Sequence, residues 1–372
     1  LAGSAVATFD SKNAGSRTVT FSGLSLTGAE AGNYTLTPVT ASHTITQRTL
    51  NVTGFTGVDK VYDRSSTATV TASDDRVIGD TLTIASSATF ADANVARGTL
   101  GEVLNKTITV SGITLSSAND GGNYTLSTTT GTASAKITPL ALTVTGTSVT
   151  PKTYDGNTTA TPGSGDIGSV LTGDTVTLTQ AGSFNDKNAG TGKTVTAADS
   201  LGGAQAGNYN LIQPTGLTGT ITAKPLTVTY TGVDKVYDGL DTATVNTSDN
   251  RITGDSLSIV RTANFTITNG ETAAKDVLYA SGNPAAKNIS VTGASLSGTD
   301  ALNYALASTS GTASATITPA SLVISGIVGV DKTYNKTTDA QLSVTGLLEN
   351  GLVSGDVVTV APTGTFADYN AG

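Results

Sequence analysis

Aspartates in recurring Gly-Asp pairs are the strongest candidates for a chemical role in this sequence. Hard cations prefer several oxygen ligands, so these carboxylates could bind calcium near the junctions of repeated segments. A Gly-Asp pair is equally a common turn, and no EF-hand loop accompanies it. Calcium therefore stays an alternative to a purely structural role, and no cofactor is required. The calcium candidates are Asp80, Asp174, Asp255 and Asp356.

The same carboxylates could also be considered as the acid pair of a glycoside hydrolase. An enzyme needs one preorganised site, whereas these acids recur in every repeated segment at turn-like positions. The chain has no Cys and a single histidine, His43, so it has no thiolate nucleophile, Cys-ligated metal or His-pair metal site. We therefore expect no enzymatic activity and no catalytic residues.

Recurring tyrosines form two sets, one inside a Lys-x-Tyr-Asp or Lys-x-Tyr-Asn motif and one directly after an Asn. A polysaccharide-binding module would expose such rings on one face, where they could stack on sugars. We favour tyrosines packed into each core with their hydroxyls bonded locally, as in the tyrosine corner of other sandwiches. The first set is Tyr62, Tyr154, Tyr237 and Tyr334, and the second is Tyr34, Tyr124, Tyr209 and Tyr304.

The lysines of the Lys-x-Tyr motif admit a covalent alternative. An intramolecular isopeptide bond would need a buried lysine, an Asn or Asp, and a nearby carboxylic acid to shuttle protons. Each repeated segment has these residue types, but spacing alone does not show that they are adjacent. We favour lysines solvated at a strand edge. The lysines concerned are Lys60, Lys152, Lys235 and Lys332.

The composition indicates the kind of secondary structure that positions these side chains. The 372 residues are only 13% charged and 37% hydrophobic, with 43 glycines, which is typical of short half-buried strands whose outer face carries hydroxyls. The net charge of −8 disfavours nucleic acid or an anionic membrane as a partner. No apolar run is long enough to span a bilayer, so no membrane insertion is expected. Any signal peptide is expected to have been removed or to lie outside this sequence.

Internal repetition dominates the sequence. Four landmarks recur four times in a fixed order: Lys-x-Tyr-Asp/Asn, Gly-Asp, Asn-Tyr and Ile-Thr. A sequence that repeats so regularly is a tandem array. The first and third complete repeats are of a long type, and the second is short. The predicted segments are the C-terminal half of a repeat at 1–48, complete repeats at 49–139, 140–223 and 224–319, and the N-terminal half of a repeat at 320–372.

The half-repeats at the two ends would together make one whole repeat. We interpret them as a window in a longer array, with strand exchange between copies as the alternative. The expected partners are neighbouring repeats of the same protein, with other copies of the chain, cell-surface glycans or exopolysaccharide as further possibilities.

Each repeat is predicted to be a small β-sandwich. Leu140, Leu142 and Val144 alternate with small or hydroxyl residues, as a half-buried strand requires. About six strands in roughly 90 residues, with turns every 8 to 12, favour an antiparallel Ig-like sandwich. Prolines at the boundaries and the absence of a flexible linker predict stiff joints. The expected fold is an all-β tandem array forming an extended rod, with short helices at 96–104 and 270–280.

The ordered motifs resemble a known family. Lys-x-Tyr-Asp-Gly, Gly-Asp-x-Val/Leu, Phe-x-Asp-x-Asn-Ala-Gly, Gly-Asn-Tyr and Ile-Thr-Pro are similar to the YDG/MBG-type repeats of large filamentous-haemagglutinin-like bacterial adhesins. The likeness covers essentially the whole chain. It departs at Arg64, which replaces the Gly, and at Asn335-Lys336. The resemblance implies a secreted stalk at the bacterial cell surface, used in adhesion, aggregation or biofilm.

Overall fold

Regular structure in the chain is almost entirely β. The computed structural model describes residues 4–267, 273–344, 348–368 and 370. Within them the elements are β-strands and one-turn 3₁₀ helices, which confirms the predicted all-β repeat array. In this described part, no helix is long and apolar enough to cross a membrane. The 3₁₀ helices each end on the Asn of an Asn-Tyr pair and span Ala31–Asn33, Gly121–Asn123, Ala206–Asn208 and Ala301–Asn303.

The two predicted short helices are wrong where the structure describes them. Residues 96–104 form a turn that is closed by a bridge between Arg97 and Val103. Residues 273–280 are not helical either and end in a short strand, while 270–272 lie outside the described residues. Gly98 and Gly101 favour a turn over a helix at the first of these segments, because glycine disfavours the helix interior.

Strands follow the Thr- and Val-rich alternations, since branched side chains favour the extended backbone. The opening half-repeat holds β1 (Val6–Phe9), β2 (Gly15–Ser22), β3 (Thr40–Ile45) and the start of β4 (Arg48–Leu50). The first complete repeat continues with β5 (Val52–Val58), β6 (Lys60–Val61), β7 (Thr69–Asp74), β8 (Ile84–Phe90), β9 (Lys106–Leu115), β10 (Tyr124–Leu126), β11 (Gly131–Ala135) and β12 (Ile137–Thr138).

The same succession of strands returns further along the chain. The second complete repeat holds β13 (Leu140–Thr143), β14 (Ser148–Thr150), β15 (Lys152–Thr153), β16 (Thr159–Gly163), β17 (Thr177–Thr179), β18 (Gly182–Phe184), β19 (Gly190–Ala197), β20 (Ser200–Gly202), β21 (Tyr209–Ile212) and β22 (Thr218–Thr222). The third holds β23 (Lys224–Leu226), β24 (Val228–Val233), β25 (Lys235–Val236), β26 (Thr244–Asp249), β27 (Ser258–Phe265), β28 (Tyr279–Ala280), β29 (Asn283–Pro284), β30 (Ala286–Ser297), β31 (Tyr304–Leu306) and β32 (Gly311–Thr318). The closing half-repeat holds β33 (Val323–Ile324), β34 (Ile327–Val330), β35 (Asp339–Val344), β36 (Leu348–Asn350) and β37 (Gly364–Thr365).

Two kinds of strand pairing recur in the complete repeats. Long neighbouring strands pair antiparallel, as in β8–β9–β11 and β27–β30–β32. Short parallel ladders join the beginning of a repeat to its end, because the Lys-x strand β6 pairs with the Ile-Thr strand β12. The ladders β15–β22 and β25–β32 repeat this arrangement. The first and last landmarks of each complete repeat are therefore the two sides of one ladder.

The first compact unit comprises Leu1–Ser148, Pro162–Gly182 and Ala197–Thr215. In it β5 packs directly against β9 and β11, since a Cβ on Gly57 would lie 2.6 Å from Cδ1 of Ile108 and 2.9 Å from Cβ of Ala135. The core combines the first complete repeat with Leu142 and Tyr209 of the second. Its buried residues are Leu50, Val52, Tyr62, Ala88, Phe90, Ile108, Val110, Ile113, Tyr124, Ala135, Ile137, Leu142 and Tyr209.

The second compact unit comprises Val149–Thr161, Ser183–Thr196 and Gly216–Gly372. One of its cores again mixes two repeats, because Tyr154 and Phe184 of the second repeat pack with Leu226 and Tyr304 of the third. Its other core lies within the third repeat and holds Val245, Phe265, Ile289, Val291, Ala315 and Ile317. Consecutive repeats thus share buried side chains within each unit.

Candidate functional site: clusters that join consecutive repeats

One oxygen of Asp174 accepts hydrogen bonds from two tyrosines. The hydroxyl of Tyr62 donates to Oδ2 at 3.0 Å, and that of Tyr209 donates to the same atom at 2.6 Å. The two rings meet edge to face with their centroids 5.6 Å apart, a favoured aromatic geometry. Tyr62 belongs to the first complete repeat, and the other two residues belong to the second. We name these three residues the first tyrosine–aspartate cluster.

A second tyrosine–aspartate cluster repeats this geometry around Asp255. Its Oδ2 accepts hydrogen bonds from Tyr154 at 2.9 Å and from Tyr304 at 2.5 Å. The ring centroids of these tyrosines lie 5.5 Å apart, again edge to face. Tyr154 belongs to the second repeat, whereas Asp255 and Tyr304 belong to the third. The tyrosine of a Lys-x-Tyr motif is therefore bonded to the Gly-Asp aspartate of the following repeat.

The remaining Gly-Asp aspartates make part of the same arrangement. Nζ of Lys275 lies 5.9 Å from the ring centroid of Tyr237 and contacts Asp356, and these three residues make a third cluster. A hydrogen bond to Asp356 and burial raise the pKa of Tyr237. Asp80 accepts a hydrogen bond from Tyr124 at 2.6 Å. The fold thus brings the candidate aspartates into contact with most of the candidate tyrosines, although the two sets are separate in the sequence.

The Gly-Asp turn explains why glycine precedes each of these aspartates. The amide of Asp174 donates to the carbonyl of Leu171 at 3.0 Å, and Gly173 between them has φ +93°. Glycine adopts such a conformation without the steric cost that a Cβ imposes. The turn also directs the amide of Leu171 toward the hydroxyl of Tyr209 at 3.1 Å. That hydroxyl therefore accepts one hydrogen bond and donates another.

Each of the three clusters that spans two repeats also contains a cation. Arg64 Nε lies 2.9 Å from Oδ1 of Asp174, and Lys187 Nζ lies 3.3 Å from Oδ1 of Asp255. In the third cluster Lys275 Nζ lies 3.4 Å from Oδ1 of Asp356. The side chains of Asp174 and Asp255 are only 2% and 3% exposed. Carboxylates buried to this degree require hydrogen bonds and a paired charge.

The protonation states follow from this environment. Burial and the hydrogen bond to Asp174 raise the pKa of Tyr209 to about 12. Burial and the hydrogen bond to Asp255 likewise raise the pKa of Tyr304 to about 12. Burial alone would raise the pKa of Asp255, but the bonds from Tyr304, Tyr154 and Lys187 bring it below its ordinary value. Neutral hydroxyls around an ionised carboxylate form a stable structural contact near neutral pH.

Two of the calcium candidates are surrounded by protein groups. Asp174 and Asp255 each contact two hydroxyls and one cation. Across the described ranges, no group of three or more His, Cys, Asp or Glu side chains could hold a metal ion. The donor set therefore fits the tyrosines and the cation better than calcium.

The candidate tyrosines differ in burial. Tyr237 is half-buried, whereas Tyr34 and Tyr334 are exposed by 71% and 54%. The expectation of local bonding is wrong for the Lys-x-Tyr set, because Tyr62 and Tyr154 bond to aspartates 112 and 101 residues away. The five buried members are Tyr62, Tyr124, Tyr154, Tyr209 and Tyr304.

A pair of asparagines forms a second contact between consecutive repeats. Oδ1 of Asn208 accepts the amide of Val95 at 2.8 Å, and its Nδ2 donates to Oδ1 of Asn94 at 3.0 Å. Asn303 makes the same two bonds to Ala189 and Asn188, at 2.8 Å and 3.1 Å. Asn123 repeats them with Ala14 and Asn13. The Asn before each of these tyrosines therefore binds the preceding repeat, a role beyond that of a turn residue.

The lysines of the Lys-x-Tyr motif hold the loop that follows them. Nζ of Lys235 donates to the carbonyls of Leu240 and Thr242 at 2.8 and 3.0 Å and pairs with Asp238 at 2.7 Å. Lys60, Lys152 and Lys332 likewise bond carbonyls five and seven residues further on. The side chains of Lys60, Lys152 and Lys235 are only 18–19% exposed, so the expectation of solvated lysines is wrong for these three.

Sequence reasoning missed a second set of basic residues. Nζ of Lys106 is 2.6 Å from Asp92 and 2.7 Å from the carbonyl of Asn94, so it holds the loop that carries the asparagine contact. Lys193 pairs with Asp186 at 2.6 Å in the same way. The sequence does show them, because a basic residue precedes the same alternating segment in the equivalent strand of each repeat: Arg17-Thr-Val-Thr, Lys106-Thr-Ile-Thr, Lys193-Thr-Val-Thr and Lys287-Asn-Ile-Ser.

Comparison with known proteins gives one family. The YDG domain matches five successive segments at residues 1–41, 46–131, 138–216, 222–311 and 318–372. No curated protein matches the chain. The five segments cover nearly all of it, and each carries some of the landmarks whose side chains form the contacts between repeats. The chain belongs to the YDG domain family.

Proposed function

We propose that this chain is part of the stalk of a secreted bacterial surface adhesin and serves as a spacer in adhesion, aggregation or biofilm. The observation that carries the proposal is that hydrogen-bonded clusters tie the Lys-x-Tyr tyrosines Tyr62 and Tyr154 to the next repeat. A spacer has to resist bending and pulling at every junction between repeats. A buried contact between consecutive repeats supplies that resistance, whereas a flexible linker does not.

Further support comes from where the repeated polar residues lie. An active site would concentrate its reactive groups at one place. Here the same tyrosines, aspartates and cations recur at successive junctions, where they bond to one another. A spacer needs no catalytic residue, which agrees with the expectation that the chain is not an enzyme. A location outside the bacterial cell is part of the same proposal.

Small-angle scattering on the whole chain tests the proposal. A compact globule of this length has a radius of gyration of about 21 Å. One sandwich extends roughly 40 Å along a 12-residue strand such as β30. A spacer built from successive repeats should therefore give a radius of gyration of roughly 35 Å or more. A value close to that of the compact globule would contradict the proposal.

A polysaccharide-binding module is a second candidate, and one groove favours it. A groove of about 760 Å³ in the third repeat is lined by Tyr230, Asn288, Ser290, Thr312 and Ser314. An aromatic ring beside hydroxyl and amide groups is a suitable surface for a sugar. Titration calorimetry with exopolysaccharide fragments tests this candidate. Binding that is lost in Asn288→Ala would favour it over a pure spacer.

A further inference from the structure

The cations of the tyrosine–aspartate clusters come from two different places in the repeat. In the second cluster Lys187 is the fourth residue of the segment Phe184–Asn188. The first complete repeat has Ala93 at that position, within Phe90–Asn94. The first cluster nevertheless contains a cation at the same carboxylate oxygen. Arg64, in the loop after Tyr62, supplies it.

Arg64 occupies a position that normally belongs to glycine. Its φ is +67°, and the equivalent residues Gly156 and Gly239 have φ of +80° and +79°. A non-glycine residue in this left-handed region carries a conformational cost of about 1 kcal/mol or more. A stabilising contact made by this side chain offsets that cost. The ion pair with the buried carboxylate of Asp174 is such a contact.

The Gly-Asp turn gives the guanidinium room at this site. A Cβ on Gly173 would lie only 2.8 Å from Nη1 and from Nη2 of Arg64. The guanidinium therefore lies directly against the glycine. It also donates from Nη1 to the carbonyl of Thr172. Arg64 thus contacts three consecutive residues of the turn, Thr172, Gly173 and Asp174.

We propose that Arg64 takes over the role that Lys187 and Lys275 have in the other two clusters. A repeat therefore has two interchangeable sources of the cation with which it binds the Gly-Asp and Asn-Tyr face of the next YDG repeat. In all three clusters the cation belongs to the same repeat as the Lys-x-Tyr tyrosine. In the first two clusters the following repeat contributes the Gly-Asp turn and the Asn-Tyr tyrosine. Any YDG repeat with those two landmarks is then an acceptable successor, whichever cation the preceding repeat carries. This inference does not depend on the stalk proposal.

The equivalence of the two loops makes an exchange of cations feasible. The amides after Asn94 and Asn188 both donate at 2.8 Å to the asparagine of the following repeat. The loops therefore stand in the same relation to the next repeat. A lysine placed at Ala93 should reach Asp174 as Lys187 reaches Asp255.

Native-state hydrogen exchange of the whole chain, read by mass spectrometry, tests the proposal. Arg64→Gly should speed exchange around residues 170–176 and 207–212 by about tenfold or more, because a buried charge loses its partner. Exchange around Asp255 and Tyr304 should not change. The double variant Arg64→Gly/Ala93→Lys should return the first cluster to within about threefold of the parent rate.

Whether Arg64→Gly speeds or slows exchange decides between the two effects of the substitution. Loss of the ion pair would speed exchange, whereas relief of the positive φ alone would slow it. Lys336→Gly is the matched control, since Lys336 also has φ of +65° but lies beside the exposed Tyr334. It should not speed exchange in residues 327–344. Unchanged or slower exchange in Arg64→Gly, or a double variant that stays at the Arg64→Gly rate, would overturn the proposal.

A reciprocal exchange of cations in the second cluster keeps the proposal testable if Arg64→Gly prevents folding. Lys187→Ala should speed exchange around Asp255, and Lys187→Ala/Gly156→Arg should restore it. A Cβ on Gly156 would lie no closer than 3.4 Å to its neighbours, so the arginine has space there. Failure of Gly156→Arg to slow the exchange of Lys187→Ala would also contradict the interchangeability of the two sources.

Discussion

The hydroxyl of Tyr62 donates a 3.0 Å hydrogen bond to Oδ2 of Asp174, which lies 112 residues further along the chain. The bond joins a motif at the beginning of one repeat to a turn in the next. The same relation holds between Tyr154 and Asp255. Contacts between consecutive repeats are what make the stability of a repeat array exceed that of its separate repeats. The tyrosine of the Lys-x-Tyr-Asp motif is therefore best understood as a junction residue.

Removal of a single hydroxyl from a cluster should weaken it measurably. Tyr154→Phe keeps the ring in place but leaves Asp255 with one donor fewer. We expect a loss of about 1–3 kcal/mol in local stability, measured by hydrogen exchange of residues 252–258. Tyr279→Phe is the control, because Tyr279 is 54% exposed. Equal effects of the two substitutions would show that the hydroxyl of Tyr154 contributes nothing specific.

Alkaline pH should destabilise both clusters. The pKa values of Tyr209 and Tyr304 are about 12 in the folded chain, above the ordinary 10.0. Folding favours the neutral hydroxyl, so its stabilisation is complete below pH 10 and is lost as the pH rises toward 12. Denaturant midpoints measured from about pH 8 to about pH 11.5 should fall over that window. In a Tyr209→Phe/Tyr304→Phe variant the fall should be shallower, and an unchanged slope would argue against the assignment.

Acid should destabilise the loops that carry the asparagine contacts. The hydrogen bond from Lys106 lowers the pKa of Asp92, and that from Lys193 lowers the pKa of Asp186. Folding favours both carboxylates in their ionised form. Their stabilisation is therefore present above the ordinary pKa of 3.8 and is lost as the pH falls below it. Protection factors of residues 90–97, which correct amide exchange for its intrinsic pH dependence, should be lower at about pH 3 than at about pH 6. Asp92→Asn should remove most of this difference.

The sequence allowed the fold class and the repeat landmarks to be predicted, because both depend on local pattern. Alternating Thr and Val, turn glycines and four recurring motifs are visible within short windows. The pairing of Tyr62 with Asp174 was not predictable, since nothing within a single sequence relates two residues 112 positions apart. Arg64 was visible as a departure from the motif, but its role required the position of Asp174 and the absence of a lysine at Ala93.

The interpretation of the asparagines shows a different limit. The Gly and Asn of the Gly-Asn-Tyr segment favour a turn, and the segment forms a one-turn 3₁₀ helix at Gly121–Asn123. The side chain of Asn123 nevertheless points to Ala14 and Asn13 of the preceding segment. The turn propensity of such a residue predicts its backbone conformation correctly, but it does not predict which distant residue its side chain binds. The same holds for Asp174, whose turn was predictable although its two tyrosines were not.

Calcium should have no specific effect on the clusters. The carboxylate of Asp255 already has two hydroxyl donors and the ammonium of Lys187. A bound ion would have to displace at least one of these groups. Thermal unfolding in millimolar calcium and in chelator should therefore coincide. A rise in the midpoint with calcium that disappears in Asp255→Asn would restore the calcium interpretation.

Substitutions of the buried Asn303 measure how much its hydrogen bonds to the preceding repeat contribute to local stability. Asn303 is 2% exposed, so Asn303→Leu leaves the amide of Ala189 and the side chain of Asn188 without their partner. We expect a loss of about 1–3 kcal/mol in local stability from that substitution. Asn303→Asp should cost less at about pH 4, because burial keeps the new carboxyl protonated, so that it accepts from the amide of Ala189 and donates to Oδ1 of Asn188 without burying a charge. Hydrogen exchange of residues 186–192 checks this order.

The second asparagine of the pair supplies the control for this comparison. In an Asn188→Ala background, the advantage of Asn303→Asp over Asn303→Leu at that pH should shrink, since the protonated carboxyl then keeps only the hydrogen bond from the amide of Ala189. The remaining advantage measures the hydrogen bond from that amide, and the difference between the two backgrounds measures the contribution of the Asn188 side chain. An advantage of the same size in both backgrounds would show that the two asparagine side chains are not coupled across the junction.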